Sequence, residues 1–245
     1  MTLKLITYNI WHGKYLEEVI AFLQQEKPDV VCLQELGTKG RAFKVNDTNM
    51  LENLQEALDM EAVYAPMFEK QEENGIWDLG LAILSKRPIE KTEMVQYAGG
   101  FKRFGVDEIW RYRWPSAILL GVIRGILIIT THLTVTREAK VTPAQLASAK
   151  VVKEFIGNYP DLIFCGDMNT LPGSETYTVL ADGLTDLTDH QAQTLHPTIH
   201  PVGKLGYHVD YVFTKGKKLK HISTRIPIID ASDHLPVVVE LATRV

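Results

Sequence analysis

Leu162-Ile163-Phe164-Cys165-Gly166-Asp167-Met168-Asn169 is the stretch on which the fold turns. Four apolar residues run into a glycine, an aspartate and, two positions on, an asparagine. A short continuous apolar run of this kind fits a strand covered on both faces. An Asp and an Asn two apart, just past a buried strand, rarely serve packing. They mark the strand end as a place for chemistry.

The same arrangement recurs along the chain. Ile6-Thr7-Tyr8 leads to Asn9, and Cys32-Leu33-Gln34 leads to Glu35. Ile128-Ile129-Thr130-Thr131 leads to His132. His208-Val209 leads to Asp210 at the start of a strand, and Ala231-Ser232 leads to Asp233-His234 before the last one. Each residue alone has a structural reading as a cap, a turn former or a satisfied histidine. Together they form a set that converges if the strand ends share one edge.

Between these points the sequence alternates strands and helices. Leu16, Val19, Ile20 and Leu23 fall at helical spacing, and Lys27-Pro28-Asp29 ends that helix. Leu51, Leu54 and Leu58 predict a second helix. Strand patterns follow at Ala62–Phe68, Leu79–Leu84 and Ile89–Tyr97, and Ser85-Lys86-Arg87-Pro88 reads as a hairpin turn between the last two. Ser116–Ile123 and Ile126–His132 read as a hairpin across Arg124-Gly125. Thr142, Pro143 and Gln145 predict a capping box at a helix start, with Gly157 and Pro160 at its end. A short helix near Glu175–Leu180, a long polar loop to about residue 206, and strands at Val209–Thr214, Leu219–Ile226 and Val237–Leu241 complete the chain. Hairpin-paired strands with helices between some of them predict an α/β fold of two packed, mostly antiparallel sheets with helices outside. No Gly/Ser linker or charge block divides residues 1–245, so one domain is expected.

Composition narrows the partners. Of 245 residues 45% are hydrophobic and 23% charged, the balance of a soluble globular chain. The net charge of −4 carries no overall basic footprint for gripping long nucleic acid. Cys32 and Cys165 both lie in apolar runs and read as buried thiols. The N-terminus reads as a strand rather than a signal peptide, and no apolar run reaches the ~18 residues of a membrane span. A cytoplasmic monomer without integral membrane association is expected.

The strand-end set comprises three Asp, one Glu, two His and two Asn. Oxygen-rich ligands of this kind suit a hard cation such as Mg²⁺ or Mn²⁺. No cysteine and no His-x-x-x-His pair belongs to the set, which argues against zinc. The chain has no Gly-x-Ser-x-Gly elbow, no Walker loop and no Gly-x-Gly-x-x-Gly opening a helix.

Thr7-Tyr8-Asn9-Ile10-Trp11, Gln34-Glu35, Gly80–Ser85, Thr131-His132-Leu133, Gly166–Thr170, Asp210–Phe213 and Ser232-Asp233-His234 together resemble the endonuclease/exonuclease/phosphatase superfamily, in its order and from end to end. The resemblance implies a four-layer α/β sandwich with two central sheets, and hydrolysis of phosphodiesters or phosphomonoesters by metal-assisted attack of water. It implies Glu35 as principal Mg²⁺ ligand, with Asn9 and Asp233 near the same ion. It gives Asp167 the attacking water, Asn169 that water or a phosphoryl oxygen, and His234 the scissile phosphate, with Asp210 fixing the His234 tautomer. His132 then donates to the phosphate or the leaving group.

Subfamily signals are weaker. Thr131-His132-Leu133-Thr134 stands where abasic-site endonucleases of the superfamily carry Tyr-x-Pro-Asn, and the Trp-Cys-Asp-Arg signature of inositol-polyphosphate 5-phosphatases is missing. His-Leu at this place is shared by relatives acting on DNA, RNA and lipid. Residues 98–114 interleave Phe101, Phe104, Trp110, Tyr112 and Trp114 with Lys102, Arg103, Arg111 and Arg113, a composition that can stack bases and pair phosphates. An exposed loop anchored by its aromatics is the competing reading. The resemblance implies Arg113, which precedes the next strand, as the candidate phosphate contact. His190, His196, His200 and His208 match no standard metal spacing and are expected to wall the substrate instead. The substrate class runs from nucleic acid to small phosphoesters. A sphingomyelinase-like lipid phosphodiesterase and a catalytically silent binding module on the same fold are the alternatives.

Overall fold

The structure, a computed structural model, describes residues 2–39, 49–73, 75–106, 108, 114–190 and 192–243. Strands β1 (Thr2–Asn9), β2 (Val30–Leu36), β3 (Glu61–Glu72), β4 (Gly75–Ser85), β6 (Lys102–Phe104), β12 (Leu219–Arg225) and β13 (Val237–Thr243) form one sheet, in the order β12-β13-β1-β2-β4-β3-β6. Strands β5 (Lys91–Ala98), β7 (Ser116–Ile123), β8 (Ile126–His132), β9 (Leu162–Asp167), β10 (Thr185–Asp186) and β11 (Asp210–Lys215) form the other, in the order β10-β11-β9-β8-β7-β5. Most neighbours are antiparallel; β1–β2, β3–β6 and β8–β9 are parallel. The helices are α1 (Leu16–Glu26), α2 (Met50–Leu58), α3 (Pro143–Gly157) and α4 (Glu175–Ala181).

Alternation along the strands creates the layers. On β9, Ile163 and Cys165 enter the core between the sheets, while Leu162 and Phe164 face α3 and α4. On β1, Leu3 and Leu5 enter the same central core, while Ile6 and Tyr8 meet Val19, Phe22 and Leu23 of α1. Helix, sheet, sheet and helix thus stack as four layers. Each large apolar side chain buried this way contributes about 1.5–3 kcal/mol relative to exposure.

Local signals account for most element ends. Lys27 takes the left-handed conformation at φ 52° and donates its N–H to Leu23 O, closing α1 ahead of Pro28. Thr142 caps α3 by accepting from Gln145 N. The reciprocal half of the expected capping box is not made among the described residues: Gln145 Oε1 accepts from Thr176 Oγ1 instead, and its Nε2 donates to Thr134 O and, at 2.7 Å, to Asn169 O. Arg124 and Gly125, at φ 51° and 68°, turn the β7–β8 hairpin as expected.

The expected hairpin across Ser85–Pro88 is corrected. Strand β4 already has β2 on one side and β3 on the other, so it has no free edge for β5. The chain crosses to the second sheet there instead. The hairpin that does form joins β3 to β4, pairing Glu69 with Asp78 and Glu72 with Gly75. The polar residues Glu69–Glu73 concealed this extension in the sequence pattern.

Candidate active site

Strand register assembles the site. His132 pairs with Asp167 across β8–β9, and Asp167 pairs with Asp210 across β9–β11, so three strand ends place their side chains in a row. On the facing sheet, parallel pairing of Asn9 with Gln34 brings Glu35 beside the end of β1. Glu35 sits at a bulge against β4 with φ 59°, a backbone distortion that re-aims its carboxylate. The Ser232-Asp233-His234 turn is pinned to β1: Ser232 Oγ donates to Asn9 O at 2.7 Å and accepts from His234 N.

Asp167 is the hub. Its Oδ1 accepts from Asn169 N at 2.9 Å. Its Oδ2 accepts from Asn9 Nδ2 at 3.1 Å and stands 3.4 Å from His132 Nε2 and 3.7 Å from His234 Nε2. Asn9 Nδ2 also donates to Glu35 Oε1 at 3.1 Å, while its Oδ1 accepts from Trp11 N. Asn9 therefore bridges two carboxylates. Asn169, at φ 47°, donates Nδ2 to Leu133 O and keeps its place beside Asp167 through the Gln145 bond.

His234 Nδ1 lies 2.9 Å from Asp210 Oδ2. Burial opposes charge on this ring, but the Asp210 and Asp167 carboxylates overcome it and hold His234 well above its ordinary value. Burial and the Asp167 charge raise Asp210, with His234 partly offsetting them. Burial likewise pushes Asp233 up to about 6, with Glu35 adding to it and His234 opposing. Burial also works against ionised Glu35, yet His12, His132 and Asn9 keep it well below the usual carboxylate range.

His12 was missed by sequence reasoning. Its Nε2 lies 3.0 Å from Glu35 Oε2, and its ring packs edge-on against Trp77 and Trp114. It occupies a single tight turn after β1 at φ 54°, where no periodic pattern announces a side chain's direction. Its position three residues past Asn9 was the available signal.

Of the four loop histidines only His200 is brought to the site, its ring edge-to-face with His234 at 5.8 Å. Burial and the neighbouring His234 lower it to about 4. His196 is buried and bound to Asp230, while His190 and His208 engage Asp186, Thr188 and Ala192 O at a separate place. In the 98–114 segment, Phe104 is a core residue, Arg103 is held by Glu69, Lys102 pairs with Glu108, and Trp114 packs on His132. The anchoring reading holds for these. Trp110, Arg111, Tyr112 and Arg113 lie outside the described residues.

Glu35, Asp167, Asp210 and Asp233 are all at most 9% exposed. So many buried carboxylates require positive charge to compensate them. Two groups of three, Asp167/Asp210/His234 and His200/Asp233/His234, hold potential ligand atoms within 4.8 Å of one another. The first group offers two carboxylates and one imidazole and the second one carboxylate and two imidazoles; with the Glu35 carboxylate beside them, oxygen predominates across the site, which fits a hard divalent cation.

The sequence pattern of the Endonuclease/Exonuclease/phosphatase family matches residues 6–234. The chain belongs to this family. Nocturnin of Drosophila melanogaster is 26% identical over 204 residues, covering 76% of this chain and 29% of that relative, so the chain spans less than a third of its length. Among solved structures, an endonuclease/exonuclease/phosphatase from Beutenbergia cavernae DSM 12333 superimposes with a TM-score of 0.77 at 19% identity, over 99% of this chain and 72% of that one. ANGEL2, a 2′,3′-cyclic phosphatase, in complex with adenosine-2′,3′-vanadate gives 0.72 at 14% identity, over 100% and 96%. The likeness to these solved structures is one of fold. No helix among the described residues is long and apolar enough to cross a membrane.

Proposed function

We propose that this protein is a divalent-metal-dependent phosphoester hydrolase acting through residues 1–245 as one catalytic domain. The observation that carries the reading is the Asp210–His234–Asp167 line, with His132 and Asn9 converging on the same carboxylate. Glu35 and Asp233, with the free lone pair of Asn9, would hold Mg²⁺ or Mn²⁺. When bound, the ion polarises the phosphoryl oxygen and offsets charge on the leaving oxygen.

The chain's own residues do the rest. Asp167, fixed by Asn169 N and Asn9 Nδ2, accepts a proton from the attacking water as its oxygen bonds to phosphorus. Asp210 keeps the Nδ1 proton of His234 on its side, so that Nε2 faces Asp167 and the phosphate. His234 and Asn169 stabilise the negative charge that gathers on phosphorus-bound oxygen. His132 donates to the ester oxygen as its bond to phosphorus breaks.

A nucleotide or other small phosphoester is favoured over a long duplex. Lys39, Arg103 and Lys102 each pair with Glu69 or Glu108, and the net charge is −4. The family neighbour holding adenosine-2′,3′-vanadate is consistent with a nucleotide. Cys32 and Cys165, both buried and free, fit a reducing compartment such as the cytoplasm.

The test is hydrolysis of single- and double-stranded DNA and RNA, nucleotides, generic mono- and diesters, an inositol phosphate and sphingomyelin, each with Mg²⁺, Mn²⁺ or EDTA. EDTA-sensitive turnover that falls ~10²-fold or more in Asp167→Ala is expected. Turnover that is unaffected by EDTA, or that survives in the variant, would sink the reading.

A further inference from the structure

His200 stands in the long polar loop between β10 and β11, on no regular element. Yet its placement is tightly specified. His200 N donates to His196 O, and Gly203 N donates to His200 O at 3.0 Å. His196 is itself fixed: its Nδ1 accepts from Thr198 N and Ile199 N, its Nε2 meets Asp230 Oδ1 at 2.9 Å, and its backbone N–H donates to Asp233 O. A Cβ on Gly203 would come within 1.9 Å of His196 O, so the loop closes only around glycine there. The imidazole is thus carried on a preorganised strap tied to the Asp233-His234 turn.

Hydrogen bonding also selects the tautomer. Val202 N donates to His200 Nδ1 at 3.2 Å. An acceptor nitrogen bears no proton, so the neutral ring carries its hydrogen on Nε2. A ring nitrogen of His200 lies within 4.8 Å of an Asp233 carboxylate oxygen and a His234 nitrogen. His200 is half-buried.

We propose that His200 is a substrate-binding residue whose Nε2–H donates to a non-bridging oxygen of the phosphoryl group that His234 Nε2 meets. The proposal rests on the phosphoester-hydrolase reading and adds a residue to it. The competing role is a metal ligand beside Asp233. Ligation through Nε2 would move the hydrogen to Nδ1 and set it against the Val202 N–H, forfeiting that bond. A donor keeps the bond and meets an anion without placing another full charge among the carboxylates.

His200→Ala and His200→Gln separate these roles. Calorimetry measures Mn²⁺ binding, then inorganic phosphate binding to the Mn²⁺-loaded protein; a chromogenic phosphodiester gives kcat and KM. Expected is an unchanged Mn²⁺ affinity in both variants, phosphate binding and kcat/KM about tenfold or more weaker in His200→Ala, and substantial rescue in Gln, which retains a donor. Nitrogen-15 spectra should show the Nε2–H tautomer for His200 in the free protein. A tenfold loss of Mn²⁺ affinity, or phosphate binding and turnover equal to wild type in His200→Ala, would overturn the proposal while leaving wild-type hydrolysis standing. Wild-type protein that neither hydrolyses esters nor binds phosphate would overturn the hydrolase reading, and this one with it.

Discussion

Asp210 Oδ2 sits 2.9 Å from His234 Nδ1, at the rear of a ring whose Nε2 looks toward Asp167. The carboxylate contributes orientation and charge together. Replacing it with asparagine keeps an acceptor oxygen and nearly the same volume, so the two contributions separate. Asp210→Asn is expected to lower the His234 titration midpoint, because the largest of its three supporting charges, Asp210, Asp167 and Asp233, is gone. Turnover is expected to fall ~10²-fold or more with KM nearly unchanged. An NMR titration of His234 checks the first part. An unmoved midpoint would show that the pair is merely structural.

His12 supplies the second grip on Glu35, opposite Asn9. Partners that orient a metal ligand typically change affinity by ~10–100-fold when removed. His12→Ala is therefore expected to weaken Mn²⁺ binding by about tenfold or more in calorimetry, with His12→Gln recovering part of the loss. Trp77 and Trp114 pack around the ring, so the alanine variant is also expected to melt lower. Wild-type metal affinity in both variants would remove His12 from the site.

With Asp233 as a ligand of the proposed ion, metal binding is expected to depend on pH. Burial holds its carboxyl at about 6, and a cation binds only the ionised form. Protons and metal compete below that value, so Mn²⁺ affinity is expected to rise with pH through about 6 and flatten above it. The sign for folding follows separately. A carboxyl raised in the native state binds a proton there more tightly than in the unfolded chain, so this group's contribution to metal-free stability declines as pH rises between its ordinary value and about 6. Added Mn²⁺ should then raise Tm more at pH 7.5 than at pH 5. An equal shift at both would contradict the assignment of Asp233 to the ion.

What the sequence revealed and concealed divides along physical lines. Asn9, Glu35, His132, Asp167, Asp210, Asp233 and His234 were legible because alternating or continuous apolar runs locate strands, and polar residues at their ends stand out. All seven converge in the structure. His12 was not singled out, and His200 was named only as one of four loop histidines expected to wall the substrate, because each is aimed by a turn's dihedrals and by distant hydrogen bonds, which leave no period behind. The β4–β5 connection was misread for a related reason. A turn between two strand patterns looks the same whether the chain folds back or changes sheet, and only the occupation of both β4 edges decides it. Gln145 looked like half of a capping box, but its amide oxygen accepts from Thr176 Oγ1 and its amide N–H donates to Asn169 O, partners 31 and 24 positions away.

Gly166 is where fold and site are hardest to separate. It pairs with Thr131 one step before the His132–Asp167 pair, at φ 134°, and a Cβ there would lie 2.0 Å from Thr131 O. Neither backbone can yield without moving a catalytic candidate, because the next residue on each strand is one. Gly166→Ala is therefore expected to cost about 3 kcal/mol or more, lowering Tm by roughly 6–12 °C, and to reduce turnover in whatever fraction remains folded. Gly157→Ala is the control: it ends α3 with no atom near its added Cβ, and should be neutral or stabilising by about 0.5–1 kcal/mol. Thermal melts of the two variants beside wild type decide the matter. If Gly166→Ala melted with Gly157→Ala, β8 and β9 would have to be free to separate, and the close approach of Asp167 to His132 would not be set by the sheet.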